Sequence, residues 1–207
     1  HEFSHALVAF AQGDLTAKQQ GRLSLNPMRH LDPLGSLMLL IMAIAGFGIG
    51  WGKPTPVNPV NLRNGRRSMA LVSVAGVIAN LSTAVAAGLV WRLHWIPTLV
   101  LRGYLAPSVG DLIGGRGGLI SALIAVNIGL AVFNLLPIAP LDGFNFLVNV
   151  VPESFGFQVS KYAHWGPGIL MLLIFLPQFI PGFRDVNLLA TVLEPPFRLL
   201  EHLIVGV

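Results

Sequence analysis

The first five residues, HEFSH, carry the most chemistry per residue in the chain. On a helix, His1 and His5 lie one turn apart on the same face, where two imidazoles can share one metal ion. Glu2 stands beside them, placed to take a proton from a water that the metal activates. Catalytic zinc usually takes three protein ligands and keeps a fourth position for water. The chain has no cysteine, so the third ligand must be His, Asp or Glu. Two soluble arrangements can be tested by position. A metzincin would have Gly at 8 and His at 11, but the sequence has Val8 and Ala11. A thermolysin-like downstream glutamate is also missing, because the next Glu after Glu2 is Glu153.

Composition says where such a centre would sit. The 207 residues are 54% hydrophobic and 11% charged, against about 25% charged in ordinary soluble domains, and the mean hydropathy is +0.71. The apolar residues form uncharged blocks at 33–51, 68–91, 117–141 and 166–183. A run of roughly 18–20 uncharged residues suffices to cross a hydrocarbon layer of about 30 Å as a helix. The blocks therefore predict an all-α, polytopic transmembrane bundle and an integral membrane protein in contact with a lipid bilayer.

Glycines 46, 48 and 50 make the first block an imperfect or re-entrant span. The prolines at 54, 56 and 59 make the stretch after it extended. The tail 184–207 reads as a pair of interfacial helices, and residues 92–118 as a connection. The whole of 1–207 reads as one membrane-embedded domain, with a catalytic core over about 1–150 and membrane or interfacial helices over about 151–207. A helix seldom begins on its first ligand, so the helix carrying HEFSH is expected to continue upstream of His1.

The net charge of +4 and a pI near 10.1 do not point to nucleic acid. Lys53, Arg63, Arg66, Arg67, Arg92, Arg102 and Arg116 are scattered through the connections without interleaved aromatic residues, a pattern of lipid-headgroup contact. Orientation is not fixed by charge, since the two sets of loops carry six and five Lys/Arg.

For the third ligand, the chain offers Asp142 in FNLLPIAPLDGF. It follows a helix broken by Pro137 and Pro140. Irregular backbone at membrane depth persists only where protein or a water cavity satisfies it, and an acidic residue there is a functional candidate. An Asp-Gly turn at the membrane surface is the competing reading. His30 and Asp32 in RHLDP read as a turn held by internal hydrogen bonds rather than as a second metal site.

Taken in order, HEFSH, AGVIAN (Gly76 to Asn80 as GxxxN) and NLLPIAPLDG resemble the three signature motifs of the site-2 protease family of intramembrane zinc metalloproteases. The connecting segments LSLNPMRHLDPLGSL and GWGKPTPVNPVNLRN are similar to those of small prokaryotic members without PDZ or CBS domains. Unlike those members, this sequence shows no apolar run before HExxH. The resemblance implies one Zn²⁺ per chain held by His1, His5 and Asp142, with Glu2 as general base and a prokaryotic cell membrane as location. It implies that Gly76, Asn80 and Asn134 belong to the substrate-facing set. Asn80 would hold substrate backbone or a developing oxyanion, unless it bonds a neighbouring helix, and Asn134 would chiefly brace the broken helix. The implied substrate is a membrane protein whose transmembrane helix unwinds locally, and the extended stretch 52–62 could pair with it. Two other functions remain open on the residues alone: a zinc transporter or permease, and an inactive scaffold that binds membrane helices.

Overall fold

A computed structural model describes residues 1–45, 50–93, 95–104, 106–115, 117–179 and 188–206. Residues 46–49 of the first block, with the glycines at 46 and 48, lie outside this set. Regular structure is helical throughout. Among the described residues there is no strand, only an isolated antiparallel bridge between Leu31 and Gly52.

The helices are α1 (Glu2–Ala11), α2 (Thr16–Gln19), α3 (Pro33–Ala45), α4 (Arg66–Arg92), α5 (Trp95–Leu101), α6 (Pro107–Gly114), α7 (Leu119–Asn134), α8 (Asp142–Val150), α9 (Glu153–Ser160), α10 (Gly166–Phe179) and α11 (Leu188–Val205). Among the described residues three helical stretches, Arg66–Arg92, Pro107–Asn134 and Glu153–Pro177, are long and apolar enough to cross a membrane. The described part of the block at 33–51 contains the 13-residue α3, about 20 Å at 1.5 Å per residue.

Two compact units divide the chain at Gly76. In the first, residues 1–76, Ala9 of α1 and Val72 of α4 pack with Leu62, bordered by Val8, Val57 and Met69. Gly13, with φ of 104°, ends α1 in the left-handed region that favours glycine. The turn then presents Asp14, fully buried, as a four-fold acceptor. Thr16 gives it a backbone N–H (3.0 Å) and a hydroxyl (2.5 Å), Asn58 a backbone N–H (2.7 Å), and Asn61 its amide (3.1 Å).

These bonds fasten an extended strap, residues 52–58, which is held at several points from outside itself. Lys53 N–H donates to His30 O (2.8 Å), and the Lys53 carbonyl accepts from the buried Arg22 guanidinium. His30 and Asp32 form the internally bonded turn expected for them. His30 Nε2 donates to Ser24 O (2.7 Å), and Asp32 Oδ1 accepts the Gly35 N–H at the start of α3 (2.8 Å).

In the second unit, residues 77–207, Ile124, Ile128 and Val132 of α7 meet Ala84 and Ala87 of α4, with Leu193, Phe197, Leu200 and Ile204 of α11 closing the cluster. Lipid tails are as apolar as leucine, so close packing rather than escape from water must hold such helices together. Gly88 serves that end: a Cβ there would come within 2.9 Å of the Ile204 carbonyl oxygen. The outward faces are equally apolar. Leu71, Ile78, Val85 and Leu89 on α4, and Leu119, Leu123, Val126 and Leu130 on α7, are exposed. Helices apolar on both faces suit hydrocarbon rather than water.

The connection expected over 92–118 contains two helices, α5 and α6. Gly110 and Gly114 let Val100 and Ile96 of α5 come close, and this side-by-side packing stabilises two helices too short to persist alone. One expectation needs correction: among the described residues 188–206, the tail forms one helix and not the expected pair. The single α11 runs through Pro195 and Pro196. A proline inside a helix costs about 3 kcal/mol, which the packing of Leu193, Phe197, Leu200 and Ile204 on α7 offsets.

The Asp14 network yields a pH-dependent prediction. Burial alone would raise its pKa, but the hydrogen bonds from Thr16, Asn58 and Asn61 outweigh it and hold the carboxyl below 3.8. A depressed folded pKa contributes stability that is present above the unfolded value and lost as pH falls through the folded one. Asp14→Ala also strands buried donors and should destabilise by about 1–3 kcal/mol near neutral pH. Thermal unfolding in detergent from pH 7 downward should show the gap between Asp14→Asn and the parent narrowing once the pH drops below 3.8.

Candidate metal centre

Helix α1 begins immediately after His1, so the helical period brings His1 and His5 together. Their Nε2 atoms lie 3.1 Å apart, and the rings meet edge to face at 83° with centroids 4.7 Å apart. Two nitrogens on one tetrahedral zinc, each at about 2.0–2.1 Å, would be roughly 3.3 Å apart. The pair is therefore spaced for a shared ion.

The tautomer of His5 follows from its other nitrogen. Nδ1 lies 2.7 Å from the carbonyl oxygen of Val72 on α4, within the buried interior. A carbonyl only accepts, so Nδ1 must carry the proton and Nε2 must present its lone pair. That is the form a metal ligand requires, fixed by the carbonyl that accepts the hydrogen bond from its other nitrogen.

Gly76 stands one turn further along α4 and forms the wall against which both rings rest. A Cβ at this position would lie 2.6 Å from His1 Cε1, 2.7 Å from His1 Nδ1, and nearer still to His5 Nε2. No real Cβ sits that close to ring atoms. The glycine of GxxxN is thus a steric requirement of the histidine pair, a role that the motif alone does not reveal.

Glu2 is anchored from the strap. Its Oε2 accepts the Thr55 backbone N–H (2.8 Å) and lies 2.7 Å from the Thr55 hydroxyl, which is also 3.0 Å from the Glu2 carbonyl. Sequence reasoning missed Thr55 and the Val72 carbonyl. The proline pattern around Thr55 hinted at an extended strand, whereas a main-chain carbonyl has no side-chain signal at all.

The remaining candidates belong to the second unit. Asp142 is the first residue of α8, where a carboxylate is favoured by the helix dipole, and it is partly buried. Gly143 permits this start, because a Cβ there would come within 2.7 Å of the Leu136 carbonyl oxygen in the chain leaving α7. Asn134 turns its amide back to Leu130 O (2.9 Å), one turn earlier in α7. Asn80 lies one turn beyond Gly76 on the same face of α4. It is buried, and its Nδ2 has no hydrogen-bond partner among the described residues. The alternative reading, a bond from that nitrogen to a neighbouring helix, is not seen among the described residues.

The Gly76 wall can be tested by Gly76→Ala. Alanine favours helix by about 1 kcal/mol over glycine, so α4 itself should not suffer. Zinc affinity should nonetheless drop by roughly 10–100-fold, the range for disturbing the support of a ligand. Competition with a chromogenic chelator would measure it, and unchanged affinity would remove Gly76 from the centre.

Comparison with known proteins is informative at this point. No family model matches the chain, and no solved structure does. Among curated proteins, it is 35% identical over 177 residues to "Putative zinc metalloprotease YwhC" of Bacillus subtilis, an alignment covering 86% of this chain and 75% of that protein. It is 31% identical over 189 residues to "Putative zinc metalloprotease Rip2" of Mycolicibacterium smegmatis, covering 90% of this chain and 66% of the relative. A Rip2 of Mycobacterium tuberculosis is 34% identical over 145 residues, 70% of this chain and 50% of the relative. The chain thus spans three quarters of YwhC and between half and two thirds of the two Rip2 proteins. With the three motifs in order and the two histidines side by side on α1, this likeness over most of both chains has one meaning: the protein belongs to the site-2 protease family of zinc metalloproteases.

Proposed function

We propose that the protein is a zinc-dependent endopeptidase that hydrolyses a peptide bond within the membrane-spanning segment of another membrane protein. The observation that carries this is the His5 hydrogen bond to Val72 O, which favours the tautomer that a metal-binding Nε2 needs. The names of the relatives support the reading, as does a chain with three stretches able to span a bilayer. The same composition supports residence in a cell membrane.

His1 and His5 would supply two ligands, and Asp142 the third. A partly buried carboxylate opening a helix after a broken span is the expected candidate for that place. One zinc ion would fill the set. When bound, it supplies Lewis acidity and a water of lowered pKa.

The chain's own residues do the rest. Glu2 accepts the water's proton at its carboxylate and delivers it to the leaving amine nitrogen, acting first as general base and then as general acid. The Asn80 amide N–H, buried and without a protein partner among the described residues, is available to the substrate carbonyl as negative charge develops on its oxygen. A donor of this kind is worth about 10²–10³ in rate.

Two substitutions test the assignment. Purified protein in detergent or proteoliposomes should cleave a single-span substrate when loaded with zinc. Glu2→Gln should abolish cleavage with one zinc still bound. Asp142→Ala should lose both cleavage and tight zinc binding. Zinc retained at parental affinity in Asp142→Ala would remove that residue from the ligand set. A Glu2→Gln protein that still cleaves would refute the mechanism.

A further inference from the structure

The two oxygens of the Glu2 carboxylate are not equivalent. Oε2 faces two donors from one residue, the Thr55 N–H at 2.8 Å and the Thr55 hydroxyl at 2.7 Å. The hydroxyl has one proton and lies 3.0 Å from the Glu2 carbonyl oxygen as well, so it bridges the side chain and main chain of the same glutamate. The backbone N–H has no such alternative.

The neighbours of Thr55 give this contact its rigidity. Pro54 and Pro56 lack N–H groups, leaving Thr55 the sole backbone donor across 54–56. A residue before proline is held extended, so Thr55 cannot swing into a helical turn and withdraw its amide. On both sides the strap is fastened: Lys53 to His30 and Arg22, Asn58 to the buried Asp14. The donor pair is thus held by the body of residues 1–76, independently of any substrate.

We propose that Thr55 is the positioning residue of the general base. Its N–H and hydroxyl fix Oε2 of Glu2, and Oε1 becomes the oxygen that exchanges the proton. A carboxylate on a flexible side chain would otherwise rotate and offer either oxygen at varying reach. Hydrogen bonds to an ionised acceptor are the strong kind, and a base held in one pose transfers its proton without first finding it. The proposal rests on the peptidase reading for its catalytic meaning, but the contact itself can be examined without zinc or substrate.

Three substitutions separate the two donors. Thr55→Ser keeps both, Thr55→Val keeps only the N–H, and Thr55→Pro removes both while preserving extended backbone. In the zinc-loaded full chain, kcat should fall about 10-fold in Thr55→Val and on the order of 100-fold in Thr55→Pro, the scale for losing one or two bonds to a charged group. Thr55→Ser should stay close to the parent. KM, zinc content and thermal midpoint should be unchanged in all three. A parental kcat in Thr55→Pro would overturn the proposal. So would a loss that follows zinc content or appears only in KM.

The second measurement needs no activity. Infrared spectra of the metal-free full chain carrying ¹³C-glutamate, with the Glu2→Gln spectrum subtracted, isolate the Glu2 carboxylate stretch. That band should shift in Thr55→Val and return in Thr55→Ser, and an unmoved band would overturn the contact. Should the parent fail to cleave any substrate, the peptidase reading falls while the infrared result still decides whether Thr55 holds Glu2.

Discussion

A chain with so few charges lives under one constraint: its polar backbone and side-chain groups must find partners within the protein. Helices meet the constraint on their own, which is why nearly all the regular structure is helical. The exceptions are informative. The strap 52–58 and the break between α7 and α8 leave the helical pattern, and each carries a residue assigned to the chemistry, Thr55 in one and Asp142 after the other. In the strap, Pro54 and Pro56 have no N–H to satisfy, and the N–H groups of Lys53, Thr55 and Asn58 donate to His30, Glu2 and Asp14.

Glycine solves the complementary problem of space. Gly76 admits two imidazoles to the face of α4, Gly143 lets α8 start against the carbonyls leaving α7, and Gly88 lets α11 reach α4. In each case a methyl group would meet ring atoms or backbone, neither of which can yield. Two of these glycines lie inside signature motifs. Their presence there is explained by close approach, of the His1 and His5 rings to Gly76 and of the Leu135 and Leu136 carbonyls to Gly143, before any role toward substrate is invoked.

Much of this was legible in the sequence. Uncharged blocks of spanning length announced the membrane helices, because hydrocarbon excludes charge over a fixed thickness. The interval between His1 and His5 announced a shared ion, because it equals one helical turn. Other features left no trace. The connection 92–118 hid α5 and α6, since their pairing depends on Gly110 and Gly114 meeting Ile96 and Val100 across a turn. Pro195 and Pro196 suggested a break in α11 that apolar packing overrides. The prolines around Thr55 signal extended backbone but not the Glu2 carboxylate to which it bonds.

The partner of His5 is main chain, and that changes how the centre can drift. Had the imidazole leaned on an aspartate or asparagine, one nucleotide change could have reversed its tautomer. The Val72 carbonyl survives any replacement of the valine by a residue that keeps the helix, so position 72 is free to follow the demands of its apolar neighbours. Heredity can spoil this support only by bending α4 itself, and the price of that falls on the whole membrane domain rather than on one side chain.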